Sequence, residues 1–206
     1  MLVTRAKPNQ HYGKGSRVIF MSTRFDNRNV NTFKRDIKFG TQLESYFFNE
    51  WMKRCDSNIE SWSHNGCDNT GEFIAKGNTS GADYRVNNKP LELKWVPTAG
   101  KFTLKENDLK AYIREGADIL FIYNTGSANL RKPSDYNLDT HIQRIKKAEP
   151  DIRWGIMSSD KVKKLYNDAQ EEGWFKPIPY MGNKTGVILL SKDYNNYFAE
   201  KQWTTK

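Results

Sequence analysis

The chain has 206 residues, enough for one domain with a substantial buried core, so it does not depend on disulfide staples. Its 33 Lys and Arg against 24 Asp and Glu give a net charge of +9, which points first to a polyanionic partner. No stretch approaches the roughly 18 consecutive apolar residues of a membrane span, the opening residues lack an apolar run of signal-peptide length, and Cys55 and Cys67 make no disulfide framework.

The expectation is therefore a protein of a reducing intracellular compartment with no membrane partner. Eleven Phe, ten Tyr and six Trp argue against wholesale disorder, while a mean hydropathy of −0.83 implies long polar loops around the core. The charge is uneven. Residues 1–38 carry nine basic side chains and two acidic ones, +7, leaving the rest of the chain at +2. Residues 1–35 are basic and Asn-rich with little periodicity beyond the apolar run Val18–Met21. They read equally as a flexible tail or as an arm that grips phosphates, with Lys14, Arg17, Lys34 and Arg35 as its DNA-contacting candidates.

From Gly40 to about Arg54, Leu43, Tyr46, Phe47 and Trp51 recur at three- and four-residue spacing, which predicts a helix with Glu44 beside its apolar stripe. Residues 58–69 read as strand plus loop. Residues 72–76 and 82–86 read as strands, and Asn87-Asn88 as a two-residue turn into a strand over 90–96, a hairpin signature. Thr103 and Glu106 have capping-box spacing, so a helix is expected from Thr103, with Leu109, Tyr112 and Ile113 on its apolar face and Gly116 as its stop. Residues 118–123 form a continuous apolar run suited to a buried central strand. Residues 125–140 are loop-like. A basic helix from His141 to about Ala148, a strand at 152–157, a helix capped by Ser159 and running through Glu172, and a last strand at 186–191 complete a mixed α/β order.

The chemistry sits in the hairpin. Side chains alternate along a strand, so Glu92 and Lys94 share one face while Leu91, Leu93 and Trp95 share the other and pack on the core. With Asp83 on the neighbouring strand, two carboxylates approach each other and repel, which a divalent cation resolves. Asp83, Glu92 and the Leu93 carbonyl, completed by waters and a phosphate oxygen, form an all-oxygen set suited to Mg²⁺. Such an ion polarises a phosphoryl group and activates water, and Lys94 stabilises the charge building on phosphorus. Other chemistries find less support. Cys55, His64 and Cys67 fit no common zinc pattern, the phosphate-loop motif is missing, and His11 and His141 read as lone surface histidines.

Gly40-x-x-x-Glu44 on a helix, Asp83, Glu92-x-Lys94, then a helix and a buried strand resemble the PD-(D/E)XK nuclease superfamily, with Holliday junction resolvase-like members closest in layout. The resemblance covers residues 40–124, and Ala82 stands where the motif has proline. It leaves both ends unexplained and implies a restriction-endonuclease-like mixed central sheet flanked by helices, so that, beside the basic arm read from composition at 1–35, a nuclease domain is expected at 36–206. That domain would comprise a core at 40–124 and an elaboration at 125–206. It further implies that Glu44 supports the metal site and that Lys105 reaches it from the following helix. The expected activity is Mg²⁺-dependent hydrolysis of DNA phosphodiester bonds, with Mn²⁺ as a substitute, in the cytoplasm of a prokaryotic or phage-infected cell. Restriction-type or exonuclease chemistry, and a non-catalytic nucleic-acid-binding role, stay open, as does a homodimer that would make two cuts. Further phosphate contacts are expected from Lys76, Arg85, Lys101 and Lys110, among other basic residues near the hairpin.

Overall fold

A computed structural model describes residues 30–54, 59–64, 81–98, 101–179 and 184–203. The runs expected as strands at 18–21 and 72–76 lie outside these residues, as do Lys14, Arg17, Lys76, His11, Cys55 and Cys67.

Helix α1 spans Val30–Arg54 and therefore starts ten residues before Gly40, so Lys34 and Arg35 lie on its first turns rather than on a separate arm. Its buried residues Phe39, Leu43, Phe47, Phe48 and Trp51 recur at helical spacing. Each such side chain contributes about 1.5–3 kcal/mol by leaving water. Three antiparallel strands follow: β1 (Trp62–His64), β2 (Tyr84–Val86) and β3 (Lys89–Val96). The β2–β3 turn is the expected Asn87-Asn88, with φ of 47° and 64°. Both residues occupy the left-handed region that a twisted two-residue hairpin requires and that Asn tolerates. The Asn87 side-chain oxygen accepts from the Glu60 and Ser61 amides at 2.8 and 3.1 Å, tying the entry to β1 onto the hairpin.

The chain then departs from expectation. Residues Lys101–Lys105 form strand β4, and helix α2 runs Glu106–Glu115, so Thr103 is not a cap. Phe102 and Leu104 are buried while Lys101, Thr103 and Lys105 alternate with them, a period of two that overrides the capping-box spacing. Gly116 does end α2, in the left-handed conformation at φ 66°. Strand β5 (Asp118–Asn124) is buried through six of its seven residues and pairs in parallel with β3. Helix α3 (Leu138–Lys147) is capped by the Asn137 side chain, β6 (Ile152–Met157) pairs antiparallel with β5, and α4 (Ser159–Glu171) is capped by Ser158. Strands β7 (Lys176–Ile178), β8 (Lys184–Leu190) and β9 (Lys201–Gln202) complete the order.

The fold is thus mixed α/β: a six-stranded mixed sheet in the order β1-β2-β3-β5-β6-β9, flanked by helices, with a separate antiparallel sheet β4-β8-β7. The central sheet has two buried faces. Leu91, Leu93, Leu120 and Ile122 pack against α1 and Ile145 of α3. Ile119, Phe121 and Tyr123 pack against α2, α4 and the inner face of the small sheet, through Phe102, Leu104, Val187 and Leu189. His141 corrects another expectation. It is fully buried, its ring centroid 5.5 Å from that of Phe39, and burial lowers its pKa. The helical period of α3 turns it inward with Ile145, four residues on. Among the described residues, no helix is long and apolar enough to cross a membrane.

Candidate active site

Three elements bring Glu44, Asp83, Glu92 and Lys94 together. The β2–β3 register pairs Tyr84 with Leu91, so Asp83, one residue before β2, stands opposite Glu92 on the same face. Glu92 and Lys94 lie opposite Ile119 and Phe121 of β5, on the face toward α2. Leu91 and Leu93 are buried on the other face, and the Trp95 ring lies 4.2 Å from that of Phe47 on α1. This packing fixes β3 against α1, which brings in Glu44.

The Asp83 carboxylate accepts a hydrogen bond from the Leu93 amide at 3.0 Å, which ties Asp83 onto β3. Lys94 Nζ is ion-paired with Glu92 Oε1. Glu92 is only 3% exposed, and its second oxygen, Oε2, is buried without a hydrogen-bond partner among the described residues. Burial pushes the Glu44 pKa up to about 7, against the pull of the Lys94 ammonium and with the repulsion of Glu92. Burial also raises Asp83 well above its ordinary range, reinforced by the charges of Glu92 and Glu44. Burial works against the Lys94 charge, yet Glu92, Tyr112 and Asp83 hold its pKa well above the lysine value. The cluster therefore sets one ammonium among three carboxyl groups, and burial with mutual repulsion makes Glu44 and Asp83 hold protons more tightly than free carboxyls do.

The donor chemistry fits a hard divalent cation. The orphaned Glu92 oxygen and the elevated pKa values of Asp83 and Glu44 are what an all-oxygen site presents before a cation enters it. Among the described residues, no three Asp, Glu, His or Cys side chains converge as a complete ligand group. A cation between Asp83 and Glu92 would therefore complete its shell with main-chain carbonyl and water, as Mg²⁺ commonly does.

Sequence reasoning passed over Tyr112, assigning it only to an apolar stripe. It is buried on α2, and the Lys94 ammonium lies 5.8 Å from its ring centroid. Burial raises its phenol pKa, opposed by Lys94 and helped by Glu92 and Asp108, so it stays a neutral hydroxyl. A signal existed: Lys105, Asp108 and Tyr112 are three and four residues apart, one face of a helix.

Lys105 is the last residue of β4 and the N-cap position of α2, not a residue within the helix as expected. It pairs with Asp108 at 3.2 Å and still reaches the site's surroundings. A groove of about 360 Å³ runs beside the cluster, lined by Lys94, Lys101, Thr103, Lys105, Asp108 and the apolar residues at the end of β3 and in β4. Buried Asn124 shapes its rim. Its amide nitrogen lies 3.3 Å from the Pro97 and Gly126 carbonyls and 2.9 Å from that of Ala128, which ties the end of β3 to the loop after β5. The other expected phosphate contacts disperse. Lys110 is paired with Glu106, Arg85 donates to the Asn88 carbonyl beside the hairpin turn, and Arg35 lies 4.5 Å over the Tyr136 ring. Lys34 is exposed on α1. Neither family models, nor curated proteins, nor solved structures match this chain.

Proposed function

We propose that this protein is a divalent-cation-dependent nuclease that hydrolyses DNA phosphodiester bonds at Asp83, Glu92 and Lys94, as a PD-(D/E)XK-like enzyme with a restriction-endonuclease-like core. The observation that carries the reading is the buried cluster itself: Asp83 and Glu92 opposite each other on a hairpin, Glu44 joining from α1, and Lys94 two residues beyond Glu92 on the same face. The order of elements supports it: a helix, a hairpin whose second strand carries Glu-x-Lys, then, after the interposed β4, a helix and a buried parallel strand. This is the order in which the resemblance requires its residues.

Bound between Asp83 and Glu92, Mg²⁺ or Mn²⁺ would supply Lewis-acid polarisation of the scissile phosphoryl group. The chain's own residues do the rest. Lys94 has a raised pKa and stays charged at neutral pH, so it acts as an electrostatic stabiliser of negative charge on phosphorus and not as a general base. Glu44 and Asp83, which hold their protons more tightly than free carboxyls while the site is empty, would give them up to a bound cation. Tyr112 bounds the site with a neutral phenol, and Lys101 and Lys105 offer positive charge to neighbouring phosphates along the groove.

The substrate is tested by incubating the chain with linear duplex, supercoiled plasmid, single strand, four-way junction and RNA, in Mg²⁺ and in EDTA. Cleavage of at least one DNA substrate in Mg²⁺ and of none in EDTA is expected. Binding without cleavage of any substrate in Mg²⁺ or Mn²⁺ identifies a nucleic-acid-binding protein instead.

A further inference from the structure

The small sheet has a second, outward face that extends beyond the candidate active site. In β4, Phe102 and Leu104 point into the core, so Lys101, Thr103 and Lys105 point away from it. In β8, Val187 and Leu189 are buried while Ile188 and Leu190 are 41% and 40% exposed. The register places Thr103 beside Ile188 and Lys101 beside Leu190. Two branched aliphatic side chains therefore stand open to solvent next to two lysines, Lys101 and Lys105, the second also paired with Asp108. Among the described residues Lys101 has no carboxylate partner. The same Lys101, Thr103 and Lys105 line the groove that contains Lys94, so the face continues into the candidate active site.

We infer that this outward face of β4 and β8 is a platform for an unpaired nucleic-acid strand, which it leads along the groove to Lys94. The inference rests on the nuclease reading for its destination, and on the sheet for its specificity. Lys101 and Lys105, four residues apart on a strand, stand about 13 Å apart and engage separate phosphates. Lysines alone would serve a duplex equally well, because a duplex presents only backbone to a flat face. Ile188 and Leu190 offer apolar contact, not aromatic stacking, and they gain it only where base faces are free of a stacked, paired partner, a condition that selects single-stranded segments. A second copy of the chain is the disfavoured occupant. A two-fold axis that laid β4 of one copy over β4 of the other would set Lys101 against the copy's Lys105, a like-charge contact of the kind that keeps edge strands apart.

The test is binding of short labelled oligonucleotides to the whole chain in EDTA, where hydrolysis does not interfere, with single-stranded DNA, single-stranded RNA and duplex arms across a salt series. A single strand of either sugar is expected to bind about tenfold tighter than duplex of the same length. The paired substitutions Ile188→Ser and Leu190→Ser, both at exposed positions, should abolish that preference without changing the salt slope. Lys101→Ala should lower the slope by about one. Equal affinity for duplex and single strand, unchanged by the paired serine substitutions, overturns the platform. So does a wild-type dimer that those substitutions convert to monomer. The two readings fail separately. Single-strand preference with no cleavage in Mg²⁺ defeats the nuclease alone, whereas cleavage with no such preference defeats the platform alone.

Discussion

Substituting Glu92→Gln is expected to reduce cleavage by about a thousandfold, equivalent to roughly 4 kcal/mol of transition-state stabilisation, while leaving the fold intact. The side chain keeps its shape, and Leu91, Leu93 and Trp95 still anchor β3 against α1. What it loses is the carboxylate that is almost fully buried and has one oxygen with no hydrogen-bond partner among the described residues. Weaker cation binding should accompany the loss of rate. Lys94→Ala should behave differently. It should cost about a hundredfold in rate, as expected for removing one charge aimed at the developing oxyanion, but it should not weaken cation binding, because the three carboxyl groups would then lose the ammonium that pairs with Glu92. Circular dichroism, calorimetric cation titration and single-turnover cleavage of the two variants separate these roles. Wild-type rates in Glu92→Gln would remove the assignment.

The second large effect is on stability, and its sign follows from Glu44. Its folded pKa of about 7 lies above its ordinary value of 4.5. Between those two pH values the folded state holds more protons than the unfolded state, so the free energy of unfolding falls as pH rises. The cost at pH 8 in EDTA is on the order of 3 kcal/mol. The upward shift of Asp83 acts in the same direction. Buried His141, with its lowered pKa, acts in the opposite sense below about pH 6.5. The clean measurement is therefore the difference between wild type and Glu44→Gln. The variant should gain stability relative to wild type as pH rises from 5 to 8 in EDTA, and Mg²⁺ should close the gap at pH 8 by stabilising the wild type. Parallel melting curves with no relative shift over that range would show that Glu44 carries no uncompensated charge.

What was readable beforehand depended on whether a local pattern had a rival. The hairpin was legible because alternation, an Asn-Asn turn and an apolar opposite face all agreed, and β3 and the turn appear where they were expected. The strand over 118–123 was legible because a continuous apolar run admits little else. Lys101–Lys105 had two readings, a helix cap at Thr103 and a strand alternating around Phe102 and Leu104. The partner that decides between them, β8, lies more than eighty residues away. Long-range pairing of this kind leaves little trace in local spacing. His141 failed for a related reason, since nothing near it in the chain announces the Phe39 it packs on. The acidic cluster was legible as Asp83, Glu92 and Lys94 because strand alternation alone places them on one face. Tyr112 was not, because a buried tyrosine at helical spacing is ordinary core until its hydroxyl is seen beside charges.

The most direct measurement is the Mg²⁺ dependence of single-turnover DNA cleavage by the wild-type chain and by Asp83→Asn, purified side by side. The account predicts saturable, Mg²⁺-dependent cleavage by the wild type, none in EDTA, and a rate at least about a hundredfold lower for Asp83→Asn across the titration. Cleavage that persists in EDTA, or that Asp83→Asn carries out at the wild-type rate, would contradict it.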